Sequence, residues 1–272
     1  MGKPQDYNML KSKGRILKWV LFGCFIIINI TGCATSKFPS SNPQDDPYEH
    51  FNRKVFAFNM AVDRAFFRPV ARVYDAVLPW PVKTGVRNFF GNIGDVTSVA
   101  NEILQLHFAQ VVADLARIVI NTTIGIGGLF DVAASLGLEK DKEDFGLTLA
   151  SWGSKNTPYL VLPFLGPYTL REAVGMPIDY FLLSIWPYLK ANALFYGVRT
   201  TYYVQYRASL LAGDKIVDQA FDPYIFVRDA YLQRRAYLVQ ENKEEHVTKY
   251  VDDNGICHRR HRSIPVNSVL SN

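Results

Sequence analysis

Few residues in this 272-residue chain are placed for catalysis. The sequence contains no GxSxG elbow, no HExxH zinc motif and no CxxC pair. Of its histidines, only His50 and His107 fall within the part that reads as a folded body. Both sit at an end of a helical pattern, where a structural or surface role fits them better than general-base chemistry. The sequence therefore predicts no catalytic residue.

One cysteine is placed for a covalent modification. Cys33 follows a basic N-terminus and an apolar run at residues 19–30, which is too short to span a bilayer comfortably. The motif Ile-Thr-Gly-Cys at residues 30–33 resembles a bacterial lipobox. We therefore predict a diacylglycerol and acyl anchor on Cys33, with the leader at residues 1–32 removed. A plain secretory signal or an uncleaved anchor is the alternative, and Ala34 after the cysteine favours the outer membrane over the inner membrane.

The remaining cysteines predict neither a disulfide nor a metal site. Cys24 leaves with the leader, so Cys257 alone remains as a thiol. Cys257, His258 and His261 form a small cluster in a basic terminal segment, which is a weak signal for metal binding. We expect no metal and no cofactor.

Charge gives no reason to expect a nucleic-acid partner. The full chain carries 30 basic and 25 acidic residues, with a net charge of +5. The leader holds five of the basic residues and one acidic residue, which leaves the mature chain with 25 and 24 and a net charge of +1. The basic pI is therefore a property of the leader.

A break in composition divides the mature chain into three parts. Residues 33–45 are polar and rich in Ser and Pro, as in a flexible spacer behind a lipid anchor. Residues 46–241 form the predicted helical domain. Residues 242–272 lose the apolar periodicity and are predicted to be a disordered polar tail.

The centre of the domain is an almost uncharged run at residues 121–133 that contains Gly125, Gly127 and Gly128. Glycine weakens a helix interior and readily adopts positive φ, so we expect a break between two helices here. A buried helix-turn-helix in a soluble core fits the local composition equally well. A dinucleotide-binding loop is disfavoured because the GxGxxG spacing is missing.

Amphipathic periodicity predicts about seven helices and no convincing set of strands. In the first, apolar residues recur at three- and four-residue steps, and we expect Pro69 to end it. Solvent exposure is expected for four polar residues of this helix, with polar contacts at lipid headgroups as the less favoured alternative: Asn52, Arg53, Asn59 and Asp63. We also expect a turn at residues 88–92 and a helix N-cap at Asp95.

Further signals mark the second half of the domain. Residues 138–144 read as a charged surface loop, and residues 145–170 as an extended or bent apolar segment broken by Gly and Pro. Thr169 with Glu172 has capping-box spacing, and Asp222 before Pro223 reads as an N-cap followed by an N1 proline. Gly213 is expected to cap the C-terminus of a long helix that begins near residue 190.

Several ordered motifs together resemble the MlaA (VacJ) family of outer-membrane phospholipid-transport lipoproteins. The resemblance covers about residues 46–237. It rests on DPYEHFNR at 46–53, FAFN at 56–59, RPVA at 68–71, NFFGN at 88–92, NTTIGIGG at 121–128, DVA at 131–133, FG at 145–146, PYLVLPFLG at 158–166, TLR at 169–171 and DPYIFVRDAY at 222–231. The segment around 174–189 matches loosely, and the Cys/His/Arg tail is no part of the pattern.

The resemblance implies an all-α fold, a ring-like bundle of amphipathic helices embedded in the inner leaflet of the outer membrane around a central amphiphilic channel. It implies that mislocalised phospholipid is the transported ligand. The implied partners are outer-membrane lipids, a trimeric porin, the periplasmic carrier MlaC and, indirectly, an inner-membrane ABC transporter. Gly/Pro-rich backbone is tolerable at membrane depth where protein buries it or where it lines a cavity.

Two sets of site residues follow as hypotheses. The lipid path is expected at Asn121, Gly125, Gly127, Gly128 and Asp131, where the glycines permit a close turn and the polar residues satisfy backbone groups or contact headgroups. A gate that keeps inner-leaflet lipid from leaking outward is expected at Phe51, Phe58 and Asn59. The competing readings are a structural or virulence-associated outer-membrane tether and, less favoured, a lipid hydrolase.

Overall fold

The computed structural model describes residues 46–154 and 157–245. The expected leader, the lipidation site at Cys33, the linker and the Cys257 cluster lie outside the described residues.

Ten α-helices make up most of the described ranges. They are α1 (Glu49–Val62), α2 (Arg68–Val77), α3 (Trp80–Gln105), α4 (Phe108–Thr123), α5 (Val132–Ser135), α6 (Phe145–Ser151), α7 (Leu170–Ile178), α8 (Ala193–Ser209), α9 (Leu211–Gln219) and α10 (Pro223–Glu245). Two π-helical turns, Asp63–Phe67 and Asp179–Leu183, and a 3-10 turn, Trp186–Tyr188, connect some of them. The all-α expectation is confirmed.

A short β-hairpin interrupts the helices. Residues 145–170 were expected to be an extended or bent segment: the hairpin part is extended, but no strand pairing was expected there, and residues 145–151 are helical instead. Strands β1 (Tyr159–Leu162) and β2 (Gly166–Thr169) pair antiparallel, with Tyr159 opposite Thr169 and Leu162 opposite Gly166. Three prolines and a glycine in and beside these four-residue strands obscure the alternation that identifies a strand in sequence.

The expected end of the first helix at Pro69 is wrong. The chain continues helically from α1 through the π turn into α2, and Pro69 is the second residue of α2. The N–H of Arg68 bonds the carbonyl of Asp63, five residues earlier. This wider turn accommodates the proline, which lacks an N–H and would clash with a regular preceding turn.

Helix α3 also overrides two expected breaks. Residues 88–92 lie inside this 26-residue helix instead of forming a turn. Asp95 is a buried mid-helix residue and not an N-cap. Packing against α4 supplies more stability than the local penalties of glycine and asparagine remove, because tertiary context routinely overrides propensity.

Local capping signals in the second half fare better. Thr169 and Glu172 form the expected capping box of α7, and the Asp222 carboxylate accepts bonds from the N–H groups at the start of α10. Gly213 is not a cap, because it lies inside α9 after α8 has ended at Ser209. Helix α10 extends to Glu245, and Asn242 is buried.

Within the described ranges, no helix combines the length and the hydropathy needed to cross a bilayer.

Polar and apolar side chains are distributed in the reverse of the usual order. The largest fully buried side chains include Arg117, Glu102 and Asn52. The exposed side chains include many large hydrophobics, such as Trp80 and Phe108. Water-soluble proteins rarely expose so many large apolar side chains, and they almost never fully bury charged side chains unless these are paired.

Candidate functional site

The glycine turn, residues 124–131, connects α4 to α5. Ile126, Gly127 and Gly128 adopt left-handed conformations in succession, with φ of 53°, 69° and 88°. The N–H groups of Gly127 and Gly128 bond back to the carbonyls of Thr122 and Asn121, at 2.9 and 2.7 Å. The turn therefore folds tightly over the end of α4, and the predicted helix break at the glycines is confirmed.

The three glycines lack a side chain for two different reasons. A Cβ at Gly125 would lie 2.2 Å from the carbonyl oxygen of Phe130, and a Cβ at Gly128 would lie 2.7 Å from the Cβ of Asn92. A Cβ at Gly127 would meet nothing within 4 Å, so only its φ favours glycine. The turn is thus closed by contact at Gly125 and Gly128 and by conformation at Gly127.

Asn121 and Asp131 hold the turn from beneath. The Asn121 amide donates to Asp131 Oδ1 (3.0 Å) and accepts from the N–H of Ala133 (2.9 Å). Asp131 caps α5 through the N–H of Ala134 and pairs with Arg117 Nη2 at 3.1 Å. Burial opposes it, but these hydrogen bonds hold the pKa of Asp131 below its ordinary value. Of the two roles expected for these residues, the structure shows the satisfaction of backbone groups.

The outer face of the turn is apolar. Ile124, Ile126, Leu129 and Phe130 are exposed, while the polar bonds lie beneath them. Leu129 also lines an apolar groove of about 440 Å³ between α3 and α8. The other lining side chains include Val86, Phe90, Leu194 and Val198. This arrangement can accept hydrocarbon, since it offers almost no hydrogen-bonding group to water.

A buried acidic cluster lies between α3 and α4. Asp95, Glu102 and Asp114 are almost fully buried, close to Arg117. Lys140, from the segment at residues 138–144, pairs with Asp95. That segment is a loop, as expected, but Lys140 points into the body instead of facing solvent.

Glu102 and Asp114 lie within hydrogen-bonding reach of each other. If both groups are ionised, neither can donate a hydrogen bond to the other, and both carboxylate oxygens of Glu102 have no partner. Burial, followed by the charge of Asp114, raises the pKa of Glu102 to about 9. Burial, followed by the charge of Asp95, raises the pKa of Asp114 to about 6. At neutral pH the pair therefore shares a proton.

The proposed gate residues hold the β-hairpin. The Asn59 amide donates to the carbonyl of Leu162 at 2.9 Å and accepts from the N–H of Phe164 at 2.8 Å. The ring of Phe58 meets that of Phe164 edge-on, with centroids 5.2 Å apart. Phe51 is exposed one turn from the helix start. Phe58 and Asn59 of the gate set thus contact the hairpin, whereas the lipid-path set contacts α3 and α5.

The expected solvent-facing side of α1 is wrong. Asn52 is fully buried and bonds both the carbonyl of Tyr159 (3.0 Å) and the N–H of Val161 (2.9 Å). Asp63 pairs with Arg207 at 2.6 Å. The polar side of α1 faces the body, and much of its apolar side is exposed. The sequence periodicity identified the polar and apolar faces of α1 correctly, but it did not show which face packs against the body.

Sequence reasoning missed the buried charges of α3 and α4. Asp114 and Arg117 are an i,i+3 pair of opposite charge inside an otherwise apolar helix, and Asp95 and Glu102 share one face of α3 seven residues apart. Charges repeated on one face of an apolar helix were the available signal. Among the described residues, no three His, Cys, Asp or Glu side chains are arranged to hold a metal ion.

Comparison with known families gives a consistent result. A sequence model of a family described as MlaA lipoprotein matches residues 44–238. The intermembrane phospholipid transport system lipoprotein MlaA of Escherichia coli (strain K12) is 36% identical over 217 residues, covering 77% of this chain and 84% of that protein. Its namesake in Haemophilus influenzae is 30% identical over 233 residues, covering 83% and 92%. An uncharacterized protein of Rickettsia typhi is 37% identical over 196 residues, covering 72% and 78%.

A solved structure agrees with these relatives. It comes from work on the structural basis for maintenance of bacterial outer membrane lipid asymmetry. The match has a TM-score of 0.62 and 33% sequence identity, and it covers 71% of this chain and 98% of the solved chain.

Proposed function

The chain belongs to the MlaA lipoprotein family, and from this premise we propose that it extracts mislocalised phospholipids from the outer leaflet of the outer membrane and passes them to a periplasmic carrier. As a member of this family, the chain is an outer-membrane lipoprotein of intermembrane phospholipid transport. Such a protein is a transport component and not an enzyme.

The observation that carries the proposal is the reversed distribution of side chains. An apolar exterior suits helices that lie among lipid tails, and buried polar side chains satisfy one another where water is absent. The exposed aromatic residues suit the interfacial depth of a bilayer. We propose that the body lies in the periplasmic leaflet, anchored through Cys33, with a ring of helices around an amphiphilic path.

We place the lipid path at the glycine turn. The exposed apolar residues of the turn and the adjoining groove offer hydrocarbon contact, while Asn121 and Asp131 fix the backbone underneath. Gly125, Gly127 and Gly128 keep the turn narrow enough to leave that path open. A trimeric porin would seat the body in the membrane, and MlaC would receive the lipid and deliver it to an inner-membrane ABC transporter.

The test is the amount of phospholipid in the outer leaflet of cells that lack the protein, measured with a membrane-impermeant amine-reactive probe. We expect accumulation on deletion, rescue by the intact chain and no rescue by the double variant Gly127→Leu/Gly128→Leu. The matched control is Gly213→Leu, because a Cβ at Gly213 meets nothing within 4 Å. Membrane-fraction labelling with radioactive palmitate checks that each variant is still lipidated.

The alternatives give different results. A tether would tolerate the double glycine variant as long as the protein stays folded and anchored. A lipid hydrolase would release fatty acid or lysophospholipid and would depend on one Ser or His. Absence of accumulation on deletion contradicts the transport proposal.

The gate is a separate proposal supported by the α1–hairpin contacts. If Phe58 and Asn59 hold the hairpin against outward leakage, then Phe58→Ala/Asn59→Ala should raise outer-leaflet phospholipid above the level in wild-type cells. Lys54→Ala, an exposed change on the same helix, is the control. Wild-type lipid distribution in the double variant, with the protein folded, would reject the gate.

A further inference from the structure

Arg199 on α8 lies in a nest of aromatic rings. Its guanidinium carbon is 4.7 Å from the ring centre of Trp186, 5.1 Å from that of Tyr203 and 5.2 Å from that of Tyr180. Tyr202 adds a fourth ring at 6.0 Å. These residues come from three elements, namely the second π turn, the 3-10 turn and α8, so the nest is a tertiary feature.

Arg199 differs from the other arginines of the described ranges that are not exposed in having no carboxylate partner. The remaining arginines of the described ranges that are not exposed each have an Asp or Glu oxygen within 4.0 Å: Arg53, Arg68, Arg117, Arg171, Arg207, Arg228 and Arg235. Arg199 is half-buried, and within those ranges no carboxylate lies within that distance of it. A half-buried charge without a counter-ion is costly, and a bound anion would relieve that cost.

The geometry leaves the guanidinium able to bind an oxyanion. Rings stack against a guanidinium through its faces, whereas its N–H donors lie in its plane. One donor, on Nη2, bonds the hydroxyl oxygen of Tyr203 at 2.6 Å. The other donors form a planar fork that matches a phosphate group bidentately.

The surroundings favour a lipid phosphate over a soluble one. Tyr188, Tyr196, Tyr203 and Tyr206 are exposed near the nest, next to the exposed chains of Phe181 and Leu182. Tyrosine presents an apolar ring and a polar tip, so a cluster of exposed tyrosines beside aliphatic side chains suits the depth of lipid headgroups. A site for a free phosphate would gain nothing from such apolar flanks.

We propose that Arg199 binds the phosphodiester of a phospholipid at headgroup depth, held in position by Trp186, Tyr180 and the Tyr203 hydroxyl. The proposal rests on the proposed function, since it names the lipid group that the protein recognises. The apolar groove lies on the other side of α8, where Ala193, Gly197 and Thr201 face it. One helix thus presents a headgroup contact on one side and a hydrocarbon contact on the other.

The experiment measures binding of two molecules that differ in the phosphate. The lipidated, full mature chain in a nonionic detergent is titrated with a short-chain phosphatidylglycerol and with the diacylglycerol of the same chains, and bound lipid is counted by native mass spectrometry. We expect the wild type to prefer the phospholipid. Arg199→Gln should weaken phospholipid binding about tenfold to a hundredfold and leave diacylglycerol binding unchanged, because only the charged hydrogen bonds are lost.

Two variants serve as controls. Arg64→Gln removes an exposed arginine that pairs with Asp218, and it should bind like the wild type. Arg199→Lys keeps the charge but loses the planar fork, so its phospholipid affinity should lie between those of the wild type and Arg199→Gln. Circular dichroism and the melting temperature check that each variant is folded. If Arg199→Gln does not fold, Arg199→Lys and Tyr203→Phe carry the comparison.

Three outcomes would overturn the proposal. One is equal phospholipid binding by the wild type and a folded Arg199→Gln. Another is equal loss for both lipids, which means a structural brace and not a phosphate site. The third is competition by inorganic phosphate at the concentration of phospholipid that saturates the site, which means a general anion site. The cell assay is independent, because rescue by the intact chain supports transport even where Arg199→Gln binds lipid normally.

Discussion

Around the glycine turn the packing is made mainly by charged and amide side chains, whereas beside the β-hairpin a cluster of aromatic and aliphatic side chains packs next to the amide bonds. In the first region Arg117 lies among Asp95, Asp114 and Asp131. In the second, Tyr159, Val161 and Tyr224 form a buried cluster. Asn52 supplies the polar bonds beside that cluster. The comparison teaches that, within the described residues, a buried hydrophobic cluster stabilises the hairpin region, whereas buried polar bonds predominate where α3 and α4 meet.

Under our proposal that the body lies among lipid tails, the physical reason lies in what surrounds each region. Where lipid tails cover a helix, burying another apolar face gains little, because lipid is as apolar as the core. Polar side chains that have no water to bind must instead bind one another, and this requirement specifies which surfaces pack together. Near the hairpin, the backbone groups of the strands need partners, and the asparagines of α1 provide them.

The largest expected effect comes from breaking the charged side of this comparison. Arg117→Met leaves three carboxylates near one another without their common cation. We expect the free energy of unfolding to fall by about 3–5 kcal/mol, because a buried charge without its partner is strongly destabilising. Chemical denaturation in a nonionic detergent measures it. Arg64→Met, at an exposed ion pair, should change it by under about 1 kcal/mol, and equal losses in both variants would contradict the assignment.

A smaller loss is expected from filling the glycine turn. Gly125→Ala places a methyl group against the backbone oxygen of Phe130, and we expect a cost of about 3 kcal/mol. Gly127→Ala has open space and suffers only from its positive φ, for about 1 kcal/mol. Melting curves of the two variants test the ranking. A cost for Gly127→Ala as large as that for Gly125→Ala would mean that conformation, not contact, closes the turn.

The hairpin region should lose less per side chain. Asn52→Ala strips partners from the backbone of Tyr159 and Val161, so we expect a loss of about 2 kcal/mol. Asn59→Ala acts at the half-buried hairpin tip, where water can replace the lost bonds, and should cost about half as much. The two unfolding free energies decide it, and a larger loss at Asn59 would show that the tip and not the strand holds α1.

A change of one pH unit is expected to alter the free energy of unfolding by at most about 1.4 kcal/mol for one proton. Glu102 has a raised pKa in the folded state, so the folded protein binds more protons than the unfolded chain between about pH 5 and 9. Stability should therefore fall as the pH rises through that window. Glu102→Gln should flatten the slope, and Glu241→Gln, at an exposed residue, should leave it unchanged.

Sequence alone predicted the parts of the fold that depend on local chemistry. The N-cap at Asp222, the capping box of Thr169 and Glu172, and the helix break at Gly125 each follow from a few adjacent residues. Which face of α1 turns inward did not follow. If the body lies among lipid tails as we propose, an apolar stripe does not by itself mark the inside.

The buried acidic residues were missed for the same reason, and two other features were missed for reasons of their own. Glu102 and Asp114 are buried acids in an apolar pattern, which a rule for soluble proteins assigns to the surface. The β-hairpin was missed because its strands are short and contain Pro167. Arg199 became visible only once Trp186 and Tyr180 were brought beside it from other elements.

The π turn between α1 and α2 sets how far α2 is rotated about the helix axis relative to α1. It contains one residue more than an α-helical turn would, so the faces of α2 are rotated relative to those of α1. Asp63, at the start of the turn, pairs with Arg207 of α8. Arg68, just beyond the turn, pairs with Asp63 and with Asp214 of α9. Deleting one residue of the turn would rotate α2 by about 100° and turn Arg68 away from Asp214. The spacing between these two residues is therefore as much a part of the fold as their identities, and insertions or deletions here are costlier than substitutions.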